Sequence, residues 1–275
     1  MPRIGLLQMT SGVDGIINAK AIADAAVRAA GEGAEMLFTP EMAGLLDRKR
    51  ARAAEAIVAE DLSPIVDIVG AAAERAGIWI ALGLPVARAD GRWANRTLVF
   101  DSNGSVAARY DKIHMFDVEL DTGETWREST AYVPGTQVVT VENTPLGRLG
   151  LTTCYDIRFP ALFEELGRRR CDAIAIPAAF TVPTGKAHWH LLQRARAVES
   201  SAFIIAAAQV GDHEDSRTTY GHSLVIDPWG EVRLDMGGKV AGLEFCDIDL
   251  ARIIEVRKQL PSLANKRDIT KSRKL

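Results

Sequence analysis

Apolar residues along the chain alternate between two periods. Ile4–Met9 is a short apolar run, Ile16–Ala30 carries Ile, Ala and Val at helical spacing, and Met36–Phe38 is a second apolar run that ends at Pro40. This pattern predicts a β-α-β unit. Pro64–Ala76 reads as a helix with Ser63 as its N-cap and Gly77 just beyond its end, and a strand follows over Ile78–Leu84. Two further strand-like runs, Arg96–Phe100 and Ser105–Tyr110, flank Asp101-Ser102-Asn103-Gly104. That tetrapeptide signals a hairpin, because Asn-Gly tolerates positive φ, so the two strands should pair antiparallel.

The opening theme then returns. Arg148–Thr153 is strand-like, Pro160–Arg170 is a helix with proline at its permitted first turn, and Ala173–Ile176 is an apolar strand, so the chain has the look of a pseudo-duplication. Ala187–Ser200 places Trp189, Leu191, Leu192, Ala195 and Val198 at helical spacing and leads into the nearly all-apolar Ala202–Ala208. A strand that apolar should be buried on both faces. The remaining elements are strands at Gly221–Ile226 and Ala241–Ile248 around the turn Asp227-Pro228-Trp229-Gly230, and a helix over Leu250–Gln259 with Asp249 as N-cap and Pro261 as its stop.

The 275 residues contain no linker rich in Ser, Gly or Pro, so a single domain over residues 1–265 is expected. Residues 266–275 hold five basic side chains against one aspartate and read as a solvated basic tail or a partner arm. A net charge of −3 supplies no field toward nucleic acid or anionic lipid, and no apolar stretch approaches the ~20 residues of a membrane span. The three cysteines form no CxxC and lack nearby Cys or His partners, so neither a disulfide framework nor a zinc site is expected and a cytoplasmic location fits. His188 and His190 do not share a helical face, and no phosphate or dinucleotide loop occurs, so no metal and no cofactor is implied.

Cys154 lies where an apolar strand meets the next helix, the position at which open α/β sheets build their sites. A helix N-terminus there would lower the thiol pKa and favour a nucleophilic thiolate, whereas a small buried hydrophobe is the plainer reading. Cys171 and Cys246 carry only the plainer one. Glu41 follows a strand through Thr39-Pro40, and Lys112 ends the second strand of the hairpin, where a surface lysine is the ordinary finding. His222 and Trp229 read as packing or hydrogen-bonding residues. Spacing alone links none of these residues to Cys154.

Three segments do link them. Phe38-Thr39-Pro40-Glu41, Tyr110-Asp111-Lys112-Ile113-His114-Met115-Phe116-Asp117 and Gly150-Leu151-Thr152-Thr153-Cys154-Tyr155-Asp156-Ile157-Arg158-Phe159-Pro160 resemble, in order and separation, the signature segments of the nitrilase superfamily of carbon–nitrogen hydrolases. The likeness continues through Ala178-Ala179-Phe180-Thr181, Thr184-Gly185-Lys186-Ala187-His188-Trp189, Ala206-Ala207-Ala208-Gln209, Tyr220-Gly221-His222-Ser223 and Ile226-Asp227-Pro228-Trp229-Gly230, and is greatest to the Nit branch. It implies an α/β fold, a four-layer α-β-β-α sandwich that dimerises through its helices.

It also implies an amidase with a Glu-Lys-Cys triad of Glu41, Lys112 and Cys154. Burial should raise the carboxylate's pKa so that Glu41 can take the thiol proton, and Cys154 attacks the amide to form a thioester. Lys112 and the backbone N–H of Tyr155 would hold the oxyanion. A second family glutamate matches Glu128, with Glu124 and Glu119 as competitors. Phe180 and Thr181 match pocket positions.

Because arginine grips carboxylates bidentately, Arg158 and Arg217 are candidates for an acidic substrate group. Arg158 reads equally as an ion-pair partner of Asp156 or Glu165, and Arg217 as an exposed loop residue. The expected product pair is an acid and ammonia, from a small carboxylated amide. Deaminated glutathione leads, with α-ketoglutaramate, broader aliphatic amides or nitriles, and a non-catalytic scaffold as alternatives.

Overall fold

The computed structural model describes residues 1–121 and 123–267. Its first half runs β1 (Arg3–Gln8), α1 (Gly15–Gly31), β2 (Met36–Phe38), α2 (Arg50–Ala56), α3 (Pro64–Ala76), β3 (Trp79–Ala87), β4 (Trp93–Phe100) and β5 (Val106–Asp111). A small hairpin, β6 (Asp117–Glu119) and β7 (Thr125–Arg127), leads to the second half. There follow β8 (Val139–Thr144), β9 (Gly147–Leu151), α4 (Pro160–Arg168), β10 (Ala173–Ala175), α5 (Val182–Ser200) and β11 (Phe203–Ala206). A hairpin of β12 (Val210–Asp212) and β13 (Thr218–Tyr220) precedes β14 (Leu224–Ile226), β15 (Val232–Asp235), β16 (Gly242–Asp247), α6 (Ala251–Gln259) and α7 (Ser262–Asn265).

Twelve of these strands form two six-stranded sheets, ordered β16-β1-β2-β3-β4-β5 and β15-β14-β11-β10-β9-β8. In the first, β1, β2 and β3 run parallel, β4 and β5 follow antiparallel beyond β3, and β16 lies antiparallel beside β1. The second repeats that plan, with β9, β10 and β11 parallel, β14 and β15 antiparallel beyond β11, and β8 antiparallel beside β9. The pseudo-duplication read from the sequence is therefore present strand for strand.

Side-chain alternation along the strands divides the interior into three apolar layers. Ile4, Leu6, Met36 and Phe38 meet Leu149, Leu151, Ala173 and Ile205 between the sheets. Leu37 and Ile80, on the opposite face of the first sheet, pack with Ala19, Ile22, Ala26 and Val69 of α1 and α3. Ile174 and Ile204 pack with Phe163, Leu166 and Trp189 of α4 and α5. Three apolar layers between four structural layers make the α-β-β-α sandwich. Both faces of β11 are covered, so Phe203–Ala206 is buried throughout, and each such Ile contributes about 1.5–3 kcal/mol.

Local signals account for most boundaries. Pro64 opens α3 and Gly77 closes it at φ +65°. Two predicted caps differ. The Ser63 side chain makes no capping bond, and α6 starts at Ala251, one residue later than read, with Asp249 Oδ1 accepting from the Ala251 N–H at 3.1 Å. The Asp14 side chain caps α1, taking the N–H groups of Ile16 and Ile17, and the sequence reading passed over it. Helix α2 and strands β6, β7, β8, β12, β13 and β15 were also missed, being three to seven residues long with little apolar periodicity. Of the expected basic tail, 268–275 lies outside the described residues, while Lys266 pairs with Glu164. No described helix is long and apolar enough to cross a membrane, and Cys154, Cys171 and Cys246 are all free thiols.

Candidate active site

Because β2 and β9 are inner parallel strands of their sheets, their C-terminal ends open onto one cavity. After β2, Thr39 pins the turn with Oγ1 donating to the Ala81 carbonyl at 2.9 Å, and Pro40 passes the chain to Glu41. Gly83 of β3 lies directly behind. A Cβ there would stand 2.3 Å from the Pro40 carbonyl oxygen, so only glycine permits this approach. Lys112 leaves the end of β5, its N–H bonded to the Asn95 carbonyl of β4 at 2.9 Å. Cys154 begins the 3₁₀ turn Cys154–Arg158 after β9, at φ +47°, with its N–H held by the Pro177 carbonyl at 2.9 Å. That φ is a left-handed value unusual for a residue with a Cβ.

These three residues and Glu128 converge. Glu41 Oε1 accepts from Lys112 Nζ at 2.9 Å and from Asn95 Nδ2 at 2.8 Å, and Glu41 Oε2 accepts from the Ala179 N–H at 2.9 Å. Lys112 Nζ also donates to Glu128 at 2.8 and 3.1 Å. Asn95 Nδ2 bridges the carboxylates, 3.0 Å from Glu128 Oε1, and the Phe116 N–H donates to Glu128 Oε2 at 2.7 Å. Glu41, Lys112 and Cys154 are all under one-tenth exposed. Of the three glutamates considered, Glu128 is the one the structure brings to Lys112 and Asn95. Glu119 pairs with Arg127, and Glu124 does not line the cavity.

The protonation states differ from those expected. Burial favours a neutral Glu41, but the Lys112 charge and hydrogen bonds from Cys154, Lys112 and Asn95 outweigh it, so its pKa lies below the usual carboxylate value rather than above. Burial likewise opposes a charged Lys112, yet Glu128 and Glu41 together raise its pKa well above lysine's. The Cys154 thiol is pushed well up by burial, with the Glu41 charge adding and Lys112 opposing. The expected lowering by a helix N-terminus is overridden. A short 3₁₀ turn has little dipole, and an anionic neighbour in a dry site costs more than it supplies. The resting set is thus carboxylate, ammonium and neutral thiol.

A cavity of about 320 Å³ opens over these groups. Tyr155, Phe180, Thr181 and Arg217 line it, as does each of Glu41, Lys112, Glu128 and Cys154. Phe180 also belongs to the core, 4.9 Å from the Trp189 ring. Tyr155 is the second residue of its turn, so its N–H has no acceptor within the turn. Arg217 is not a free loop residue. Its Nε and Nη2 bond Asp215 Oδ2 at 2.9 and 2.8 Å, and its guanidinium lies 5.4 Å from the Trp126 ring.

Arg158 is absent from the lining. It lies over the Tyr155 and Phe180 rings and 3.3 Å from His188 Nδ1. Neither anticipated ion pair forms. Asp156 is occupied by Tyr110 Oη, His114 and the Thr153 N–H, and Glu165 by Arg168 and Arg169. His190 Nε2 and His222 Nδ1 lie 3.0 and 2.9 Å from Asp235, a His-His-Asp grouping that the sequence reading did not anticipate, and the Trp189 indole donates to the His222 carbonyl.

Several site residues escaped the sequence reading: Asn95, the Ala179 N–H, Trp126 and Arg48. For Asn95 a signal existed. Asn95 and Thr97 precede Val99 on the inward face of a buried strand, and a polar side chain on such a face needs a partner. The others come from short or irregular segments without periodicity.

Comparison with known proteins agrees with this architecture. Residues 3–258 match the family described as carbon-nitrogen hydrolase. The chain is 39% identical to a deaminated glutathione amidase of Yersinia enterocolitica, covering 97% of this chain and 93% of that protein. Against the Caenorhabditis elegans NitFhit crystal structure the TM-score is 0.88 at 35% identity, over 97% of this chain and 65% of that longer fusion chain. An amidase from Nesterenkonia sp. AN1, solved with acrylamide added at its active-site cysteine, superposes with TM-score 0.79 at 26% identity, over 95% of this chain and 98% of that one. With two matching sheets, a carboxylate–ammonium–thiol cluster and full-length similarity in agreement, the chain belongs to the carbon-nitrogen hydrolase family and is an enzyme acting on C–N bonds.

Proposed function

We propose that this enzyme is a cysteine amidase for a small carboxylated, peptide-like amide, with deaminated glutathione as the leading substrate. Glu41, Lys112 and Cys154 form the catalytic set, with Glu128 supporting it. The observation carrying this reading is the enclosed cluster in which Glu41 bonds Lys112 and stands against a protonated Cys154 thiol. The names of the similar amidases support the substrate.

An amide entering the cavity brings its carbonyl carbon to Cys154 Sγ. Sulfur attacks as Glu41 removes its proton, so the thiolate never accumulates beside a carboxylate. The tetrahedral oxyanion takes hydrogen bonds from Lys112 Nζ and the Tyr155 N–H, and losing one such donor typically costs about 10²–10³ in rate. Glu41 returns the proton to the departing nitrogen, leaving an acyl thioester. Water then attacks that thioester with Glu41 again as base, and collapse frees the acid and restores the thiol. Glu128 keeps Lys112 charged and tethered through both its oxygens.

Both amides of deaminated glutathione are secondary, since glutathione is γ-glutamyl-cysteinyl-glycine. Its leaving group is therefore an amine, and ammonia is expected only from a primary amide such as α-ketoglutaramate. Product analysis separates the two. Incubation with each compound, measuring amine and ammonia against kcat/KM, should favour amine release from deaminated glutathione. A higher kcat/KM for α-ketoglutaramate would replace this substrate assignment with the ω-amidase one, and turnover of neither would remove both.

The enzyme also forms a homodimer in this proposal. Leu191 and Val198, seven residues apart on α5, are exposed, as is Trp229, and such apolar side chains suit a second copy. A monomeric mass by analytical ultracentrifugation at micromolar concentration would refute it.

A further inference from the structure

The cavity wall carries more positive than negative charge. Its ionisable lining comprises Arg48, Arg50, Lys112, Arg127 and Arg217 against Glu41, Asp47 and Glu128. Most of these charges are answered locally: Lys112 by Glu41 and Glu128, Arg127 by Glu119, Arg217 by Asp215, and Asp47 by Arg52. Among the described residues neither Arg48 nor Arg50 has a carboxylate partner, but Arg50 donates to the Thr130 carbonyl at 3.1 Å, whereas no hydrogen bond from the Arg48 guanidinium is found.

Arg48 is nevertheless held in place. Its backbone N–H donates at 2.8 Å to Asp215 Oδ2, the oxygen that also accepts from Arg217 Nε at 2.9 Å. One buried carboxylate thus anchors both arginines. Their guanidinium carbons lie 5.9 and 5.4 Å from the centre of the same Trp126 ring, whose indole N–H is buried without a partner. Two guanidinium groups against one aromatic ring, one of them unpaired, form a clamp for a planar anion.

We infer that Arg48 is a specificity-determining residue which, with Arg217 and Trp126, binds the substrate carboxylate farthest from the scissile amide. This rests on the amidase reading above and extends it. Arg48 is exposed while Cys154 is enclosed, so the clamp stands at the mouth and the thiol at the floor. A substrate spanning both is oriented by its distal charge before its carbonyl reaches sulfur, which is how binding remote from the reacting atoms serves catalysis.

Two matched substrate pairs test this. One is deaminated glutathione with a free or an amidated C-terminus. The other is the monoamide of a five-carbon dicarboxylic acid with pentanamide. Arg48→Gln should lower kcat/KM for the members carrying the distal carboxylate about tenfold or more, chiefly through KM, and leave the partners that lack it unchanged. Arg48→Lys should recover part of that loss, and raised salt should weaken the free acids in the native enzyme more than in the variant. If Arg48→Gln treats both members of the active pair alike, the clamp assignment is overturned. If only the monoamide pair turns over, deaminated glutathione falls as the substrate, while the ratio within that pair still decides the role of Arg48.

Discussion

The two halves of the molecule share one strand plan and divide the chemistry unequally. The first sheet sends ionised groups to the cavity: Glu41 after β2 and Lys112 after β5, with Asn95 of β4 between them. The second sends a thiol and backbone N–H groups, Cys154 and Tyr155 after β9 and Ala179 after β10. Buried charge is therefore compensated largely within the first half and the hairpin segment carrying Glu128. The second half meets it with neutral groups. Repetition of a fold supplied equivalent ledges, and which side chains stand on them decided the asymmetry.

The sharpest way to test that division is to remove one member from each half. Cys154→Ala should abolish turnover, by about 10⁴-fold or more, with an unchanged melting temperature, because a neutral group leaves. Residual turnover near the native rate would end the assignment of Cys154 as nucleophile. Lys112→Met should lose rate and also stability. It strands Glu41 and Glu128 in a buried site, at a cost of about 3–5 kcal/mol measurable by denaturant titration. If Lys112→Met were as stable as Cys154→Ala, the charge contrast between the halves would be wrong.

Glu41→Gln should lower kcat by about 10²–10⁴ through loss of the base. It also removes the anion that holds the thiol proton, while Lys112 stays. The thiol pKa should fall, so alkylation of Cys154 by iodoacetamide should become fast at a lower pH than in the native enzyme. The native sign follows from the same groups. Glu41 lies below the usual carboxylate value and stays ionised as pH drops, and Cys154 lies above the usual thiol value and stays protonated as pH rises. The kcat/KM profile should therefore be flat between about pH 5 and 9, and a limb near the free-thiol value of about 8.5 would contradict these states.

Smaller effects probe the seam between the halves. Buried Asp156 accepts from Tyr110 Oη at 2.6 Å and from the Thr153 N–H at 2.9 Å, tying the lysine strand to the cysteine turn. Asp156→Asn should cost about 1–3 kcal/mol in unfolding free energy. Smallest of all, Cys154→Gly should be about 1 kcal/mol more stable than Cys154→Ala, since glycine carries φ +47° without a Cβ penalty. Equal stability would mean the turn relaxes when the sulfur is removed.

Much of this was legible in the chain because it is encoded locally. The α3 boundaries follow from Pro64 and Gly77, and the buried β11 from an unbroken apolar run. The resemblance of three short segments indicated Glu41, Lys112 and Cys154, and the structure brings them together. Asn95, Arg48 and Trp126 were not found, since each acts through a partner distant in sequence and sits in no distinctive local pattern. Arg158 shows the converse: four residues from the cysteine, it turns toward His188 and two rings instead of the cavity.

By itself the sequence determined the longer elements and the repeated β-α-β theme, because periodicity and breakers are properties of neighbouring positions, and the resemblance of three short segments supplied the candidate chemistry. Only the tertiary structure decided the protonation states and the clamp. A pKa depends on what burial removes and which charges it brings close, and Glu41, Lys112, Glu128 and Cys154 are separated along the chain but share one dry cavity.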